Sequence, residues 1–189
     1  EIYNHFEVRA KLEPKYTFKS HSDTETLLYG FIEFGSEVLN MLNGIFAFSI
    51  LNKQTNELFI ARDQFGIKPL YYYSDEKLFW FSSEIKSILP LSFNKEIALE
   101  SLENYLTFLY SPAEKTPFKH VLKLLPGHFM KLHLANPQNF SIEKYYEIPF
   151  NGKVSAKTEA ELINDLEEKL LKAVDRQLLA DVPVGFFLS

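Results

Sequence analysis

The chain has 189 residues, 46% of them hydrophobic and 24% charged, the composition of an ordinary globular protein with one sizeable core, or one domain and the start of another. A net charge of −5 gives no electrostatic support to a nucleic-acid partner, no long apolar run marks a membrane span, and no cysteine is present for a disulfide or for thiol chemistry. Aromatic residues reach 15%, with 18 Phe and 10 Tyr, which favours β-sheet packing.

In chain order, Glu1 opens what reads as a strand or strand end. Ser22-Asp23-Thr24-Glu25 has the spacing of a capping box, in which Ser22 accepts from the Glu25 N–H and the Glu25 carboxylate reaches back. Leu27, Leu28, Phe31, Val38 and Leu42 follow as an apolar face, so a helix is predicted from residue 23 to about 40, ended by Asn43-Gly44. Residues 45–51 are nearly all apolar and read as a strand buried on both faces; with turn residues at 52–56 and a second strand at 57–62 they form a hairpin. A second hairpin joins 70–74 to 78–82 around Asp75-Glu76-Lys77, and Ser83 is expected to cap a short helix ending at Leu89. Leu99, Leu102, Leu106 and Leu109 give helical spacing over 98–109, broken by Ser111-Pro112. The turn Leu125-Pro126-Gly127 feeds a strand at 128–134, Asn136-Pro137 turns the chain, and 142–148 is a last strand. Hairpins mixed with helices in this way point to an antiparallel α+β fold.

Beyond residue 148 the pattern changes. Residues 149–156 hold Pro, Asn, Gly and Ser and read as a linker. A second capping-box pattern at Thr158-Glu159-Ala160-Glu161 opens a long amphipathic helix with Leu162, Leu166, Leu170, Val174 and Leu178 on one face. The apolar run 184–188 after Pro183 then reads as a buried parallel strand that opens an α/β domain. The loop after such a strand is where backbone N–H groups and a helix dipole bind phosphates. Both ends of the chain look like cuts through a longer protein.

Few residues stand out as chemistry. The segment from Arg62-Asp63 through Gly66 and Pro69 to Tyr71-Tyr72 reads as a structural loop: Gly66 suits a positive φ, and Arg62 and Asp63 can pair or hold the loop by hydrogen bonds. Asp23, in the first turn of its helix, either stabilises the helix dipole or faces a ligand ammonium. Glu1 reads as an ordinary exposed acid. The histidines His5, His21, His120, His128 and His133 lack metal-ligand spacing, and no Ser-His-Asp arrangement can be argued. Glu159, Glu161, Asp165, Glu167 and Glu168 form the solvated face of their helix.

Several segments together resemble one family. Glu1-Ile2-Tyr3-Asn4, Ser22-Asp23-Thr24-Glu25, Leu42-Asn43-Gly44-Ile45-Phe46-Ala47-Phe48, the Arg62 to Tyr72 loop, Ser82-Ser83-Glu84-Ile85-Lys86 and Leu125-Pro126-Gly127-His128 stand in this order in glutamine-hydrolysing asparagine synthetases of the B type, and Asp181 to Ser189 is similar to the approach to their ATP-pyrophosphatase loop. The stretch from Leu99 to His128 looks like the larger bacterial form. The resemblance implies a fold class of α+β: an incomplete N-terminal-nucleophile hydrolase-type αββα sandwich of antiparallel sheets, followed by the first helix and strand of an α/β ATP-pyrophosphatase domain. It implies a partial glutaminase domain at 1–148, a linker at 149–156 and the start of a synthetase domain at 157–189.

The implied activity is release of ammonia from glutamine by an N-terminal Cys, passage through an internal tunnel, and transfer to aspartate activated as aspartyl-AMP, with ATP and Mg2+ as cofactors. The implied setting is a cytoplasmic enzyme without nucleic-acid or membrane partners, with a homodimer among the arrangements the family admits. Carried over residue by residue, Glu1 and Asp23 are glutamine-binding, Asp23 gripping the α-ammonium, and Leu188 and Ser189 are ATP-binding. No catalytic residue and no metal ligand is carried over, because the nucleophilic Cys, the glutamine-binding Arg, the oxyanion Asn-Gly and the rest of the pyrophosphate loop have no counterpart in these residues. This polypeptide alone is therefore expected to be inactive. Two other readings stay open: a relative that amidates another carboxylate such as a sugar acid, and a glutaminase-like domain without its nucleophile that serves as a scaffold, as in β-lactam synthetase-like proteins.

Overall fold

The structure, a computed structural model, describes residues 1–150, 152–180 and 182–187. The chain divides into two compact units, residues 1–44 with 148–189, and residues 45–147.

In the first unit, α1 (His5–Leu12) packs against α2 (Asp23–Phe34), and a 3-10 turn over Gly35–Met41 continues from α2. No helix was expected over 5–12. There the residues Phe6 to Glu13 alternate apolar and polar, which conceals a helix whose buried positions are His5, Val8 and Leu12. Gly30 lets the following turn approach: a Cβ there would lie 2.8 Å from Val38 Cγ2. The predicted helix over 23–40 is interrupted at Gly35, whose φ of +57° ends the α-helical ladder.

The first capping box is not formed. Ser22 Oγ accepts the N–H of Thr24 at 3.1 Å, and the Glu25 carboxylate instead gathers the N–H groups of Lys19 and Ser20 at 2.9 and 2.7 Å and the Ser20 hydroxyl at 2.6 Å. Those bonds, the Ser20 hydroxyl foremost, hold the Glu25 carboxyl below its usual range. The second capping box is formed: Thr158 Oγ1 accepts the Glu161 N–H, and Glu161 Oε2 accepts the Thr158 N–H at 2.8 Å. It starts α4 (Glu159–Gln177), an amphipathic helix in which no residue is buried; Leu166 and Leu170 are 66% and 61% exposed. The strand expected at 184–188 is absent over its described residues 184–187, since a strand needs a partner ladder and none of the described strands pairs with that segment.

The second unit is two antiparallel sheets. The strands β1 (Ala47–Asn52), β2 (Glu57–Arg62), β6 (His128–His133) and β7 (Asn136–Lys144) lie in the order β1-β2-β6-β7, while β3 (Tyr71–Ser74), β4 (Phe79–Ser82) and β5 (Val121–Lys123) lie in the order β4-β3-β5. Leu58 and Ile60 of β2 and Met130 and Leu132 of β6 meet Leu70, Tyr72 and Leu124 to form the core between the sheets. The opposite face of β2 is also buried, with Phe59 stacked on Phe129 at 5.1 Å. It is thus β2, not β1, that is buried on both sides; β1 is an edge strand with Ser49, Leu51 and Asn52 exposed. The second hairpin forms as expected, the Asp75 carboxylate accepting the N–H groups of Lys77 and Leu78 at 2.8 Å each.

Expectations for the last strand and for the short helix before Leu89 are corrected. The last strand runs over Asn136–Lys144 rather than 142–148; the chain turns at Leu134-Ala135, and Pro137 is tolerated because β7 is an edge strand. The strand stops because the N–H groups of Tyr145 and Tyr146 both turn to the Gly127 carbonyl. The short helix before Leu89 is a 3-10 turn over Ile85–Ile88, and Ser82, not Ser83, accepts the Glu84 N–H. The helix predicted over 98–109 is present as α3 (Leu99–Phe108), closed by Leu109 in the left-handed region with φ of 60°.

Candidate functional site

Of the two acids picked out for glutamine, Asp23 stands at the N-terminus of α2 and bonds the residue that follows Glu1. Asp23 is the first residue of that helix, where the dipole favours a carboxylate. Its Oδ2 accepts the N–H of Ile2 at 3.0 Å, so Asp23 lies against the residue that follows Glu1. Its Oδ1 accepts the Thr24 hydroxyl at 3.3 Å. A carboxylate offers about four acceptor positions, so these two bonds leave Asp23, which is half-buried, with capacity for a cation. Glu1 is exposed. Burial, with the Glu1 carboxylate as the second cause, pushes the Tyr3 phenol above its ordinary value.

Residues 1–4 are tied along residues 41–44. Ile2 and Gly44 form an antiparallel bridge, and the Tyr3 N–H donates to the Asn43 carbonyl at 2.8 Å. Asn4 spans the pair, its Nδ2 donating to the Met41 carbonyl and its Oδ1 accepting the Asn43 N–H, both at 2.8 Å. A Cβ on Gly44 would clash with the Glu1 carbonyl oxygen and lie 2.8 Å from Ile2 Cα. Nothing in the local sequence around Asn4 marks its side chain for this role. The signal available was the placement of Asn4 and Gly44 inside two of the motifs that carry the resemblance.

The Arg62–Asp63 loop is structural, as its residues suggest. Asp63, 1% exposed, accepts the N–H groups of Phe65, Ile67 and Lys68 at 3.1, 2.9 and 3.0 Å. The Arg62 guanidinium donates to the carbonyls of Lys68 at 2.7 Å, Gly66 at 2.7 Å and Leu124 at 2.5 Å. Burial lowers its pKa, and Asp63 opposes that shift. The Tyr145 hydroxyl, which sequence reasoning missed, donates to the Arg62 carbonyl at 2.7 Å. Gly66 (φ +65°) is required here, since a Cβ would lie 2.7 Å from Pro126 Cγ and 2.9 Å from Arg62 Cζ. The loop therefore displays Phe65 and Ile67, 64% and 58% exposed, on a rigid base.

The remaining candidates, Leu188 and Ser189, lie outside the described residues. Among the described residues no three His, Asp or Glu side chains stand together as a metal ion would need, and no helix is long and apolar enough to cross a membrane.

Residues 1–146 match the family described as a glutamine amidotransferase domain. Over its whole length the chain is 37% identical to asparagine synthetase [glutamine-hydrolyzing] 1 of Bacillus subtilis, covering 29% of that protein. It is 34% identical to putative asparagine synthetase [glutamine-hydrolyzing] 2 of Methanocaldococcus jannaschii, covering 36% of it, and 32% identical to the amidase chyE of Penicillium rubens, covering 28% of it. In each case 100% of this chain is aligned, so the chain spans little more than a third of these relatives at most. Among solved structures, the glutamine phosphoribosylpyrophosphate amidotransferase of B. subtilis superposes with a TM-score of 0.53 at 18% identity, over 77% of this chain and 27% of that one. That likeness bears out the α+β, N-terminal-nucleophile hydrolase-type fold with its antiparallel sheets. The chain belongs to the glutamine amidotransferase domain family.

Proposed function

We propose that this chain supplies the glutamine-holding part of a glutamine-hydrolysing asparagine synthetase. The observation that supports the reading is the bond from the Ile2 N–H to Asp23, which ties the start of a helix to the residue after Glu1 in a chain of this family. Asp23, with acceptor positions to spare, and a second acid at Glu1 suit an α-ammonium, because charge-assisted hydrogen bonds are stronger than neutral ones. Glu1 and Asp23 then bind glutamine, with Asp23 on the ammonium. The Cys nucleophile that the resemblance implies is not among these 189 residues.

The domain division proposed is glutaminase at 1–148, a linker at 149–156 and the start of a synthetase domain at 157–189. It is supported by the end of the family match at 146 and by the separate capping box that starts α4. In the whole protein, released ammonia passes to aspartate activated as aspartyl-AMP, with ATP and Mg2+ consumed in that activation and Leu188 and Ser189 at the nucleotide. The described residues hold no cluster fit for Mg2+, so no step is assigned to them through it. A cytoplasmic setting and a homodimer belong to the same proposal and rest on the resemblance.

A second reading is favoured by the amidases chyE and chry2, which are 32% and 30% identical to this chain, close to the 31% of one asparagine synthetase relative. In that reading the ammonia goes to a carboxylate other than aspartate. The test is an assay of the protein as encoded in full, with glutamine, ATP, Mg2+ and aspartate. Formation of glutamate and asparagine in step supports the first reading. Glutamine hydrolysis coupled only to another carboxylate supports the second. Absence of glutamine hydrolysis refutes both and leaves a scaffold.

A further inference from the structure

We propose that Asn4 and Gly44 are positioning residues for the glutamine site, fixing Glu1 relative to Asp23. The proposal rests on the reading of Glu1 and Asp23 given above. Asp23 holds this segment through the Ile2 N–H at 3.0 Å. One hydrogen bond by itself fixes a point of a segment and leaves its orientation free. The opposite side of the segment removes that freedom. Asn4 makes two bonds in opposite senses to one stretch of backbone, donating to the Met41 carbonyl and accepting the Asn43 N–H, while the Tyr3 N–H bonds the Asn43 carbonyl. Donor and acceptor on one planar amide set both distance and orientation. Gly44 sets the depth: the backbone of Glu1 and Ile2 lies where a Cβ of any other residue would be. The backbone that carries Glu1 is thus fixed by the bonds of Asn4 and Tyr3 to residues 41 and 43, by contact on Gly44, and by the Ile2 bond to Asp23, so it keeps one position relative to Asp23 before ligand arrives. Preorganisation of this kind raises affinity, because the ordering is complete before the ligand binds.

The test is steady-state glutamine hydrolysis by the protein as encoded in full, comparing Asn4→Ala, Asn4→Asp and Gly44→Ala with the site variants Glu1→Gln and Asp23→Asn. Misplacement of a binding group costs heavily in the constant that reports it, so Asn4→Ala is expected to raise the KM for glutamine about tenfold while kcat changes by less than about threefold. In Asn4→Asp the acceptor for Asn43 is retained and the donor for Met41 is lost at neutral pH. Protonating the new carboxyl restores that donor, so the ratio of its KM to that of the unsubstituted protein should narrow as pH falls. Gly44→Ala should follow Asn4→Ala if it folds, and the Asn4 pair decides the matter if it does not. A fall in Tm with an unchanged glutamine KM in Asn4→Ala overturns the proposal and leaves Asn4 merely structural. If Glu1→Gln and Asp23→Asn raise KM and Asn4→Ala does not, the positioning role alone fails. If neither site variant moves KM, or the unsubstituted protein consumes no glutamine, the reading of the site fails and this proposal with it.

Discussion

Removing the Asp63 carboxylate should unfasten the Arg62–Asp63 loop. In Asp63→Ala three backbone N–H groups, of Phe65, Ile67 and Lys68, lose their acceptor at once. A hydrogen bond to a charged group contributes about 1.5–3 kcal/mol, so the three have a ceiling of roughly 5–9 kcal/mol. The ceiling is not reached, because the loop tip is open at Phe65 and Ile67 and water can replace part of what is lost. The expected cost is about 3–5 kcal/mol, a large share of a domain stability of roughly 5–15 kcal/mol. At about 2–4 °C per kcal/mol for a chain of this size, Tm falls by roughly 6–20 °C. Asp63→Asn keeps Oδ1 for Phe65 and Ile67 but turns an amide donor or a weaker acceptor toward Lys68, so its loss should be smaller, about 1–3 kcal/mol. Urea and thermal unfolding of both variants measure the series. A loss below about 1 kcal/mol in Asp63→Ala would refute the reasoning, since it would mean that solvent satisfies the loop as well as the buried carboxylate does.

Two further predictions follow from the same bonds. Burial, and then the charge of Asp63, raises the Tyr145 phenol above its usual value of 10.0, so the stability it contributes is complete below the unfolded-state value and is lost as pH rises through the folded one. Unfolding midpoints should therefore drop above pH 10, and Tyr145→Phe should flatten that slope while losing about 1 kcal/mol at neutral pH through the unpaired Arg62 carbonyl; an unchanged alkaline slope would count against it. Thr158→Ala should weaken α4 by about 0.5–2 kcal/mol. Because no residue of α4 is buried, the loss should appear as lower helicity by circular dichroism in a peptide spanning the helix, and equal helicity would contradict the cap assignment.

Where the sequence could be read, the signal was local. The Asp75 turn and the Thr158–Glu161 box are made within a few residues, so the pattern and the bond are nearly the same thing. Where another donor outside the motif competes, the pattern misleads. Ser22-Asp23-Thr24-Glu25 spells a capping box, but Glu25 finds three donors on Lys19 and Ser20 and leaves the Ser22 N–H. Burial was misjudged for the same reason: β1 and β2 are both apolar, and only the sheet order decides which is the edge. At the candidate site, motif resemblance is what assigns Glu1 and Asp23 to glutamine, since a lone acid at a helix start is an ordinary stabilising feature.

What the sequence by itself determined is the alternation of short strands and capped helices, the α+β class, the left-handed position of Gly66 and the family motifs, all of which depend on residues close together in the chain. Only the tertiary structure decided that Asp23 bonds Ile2, 21 residues away, and that Asn4 clasps residues 41 and 43. It alone showed that Tyr145 reaches back 83 residues to Arg62. Hydrogen bonds have no preference for sequence separation, whereas propensity and periodicity act over a turn or two. The contacts around the candidate site are therefore the ones that local patterns leave undetermined.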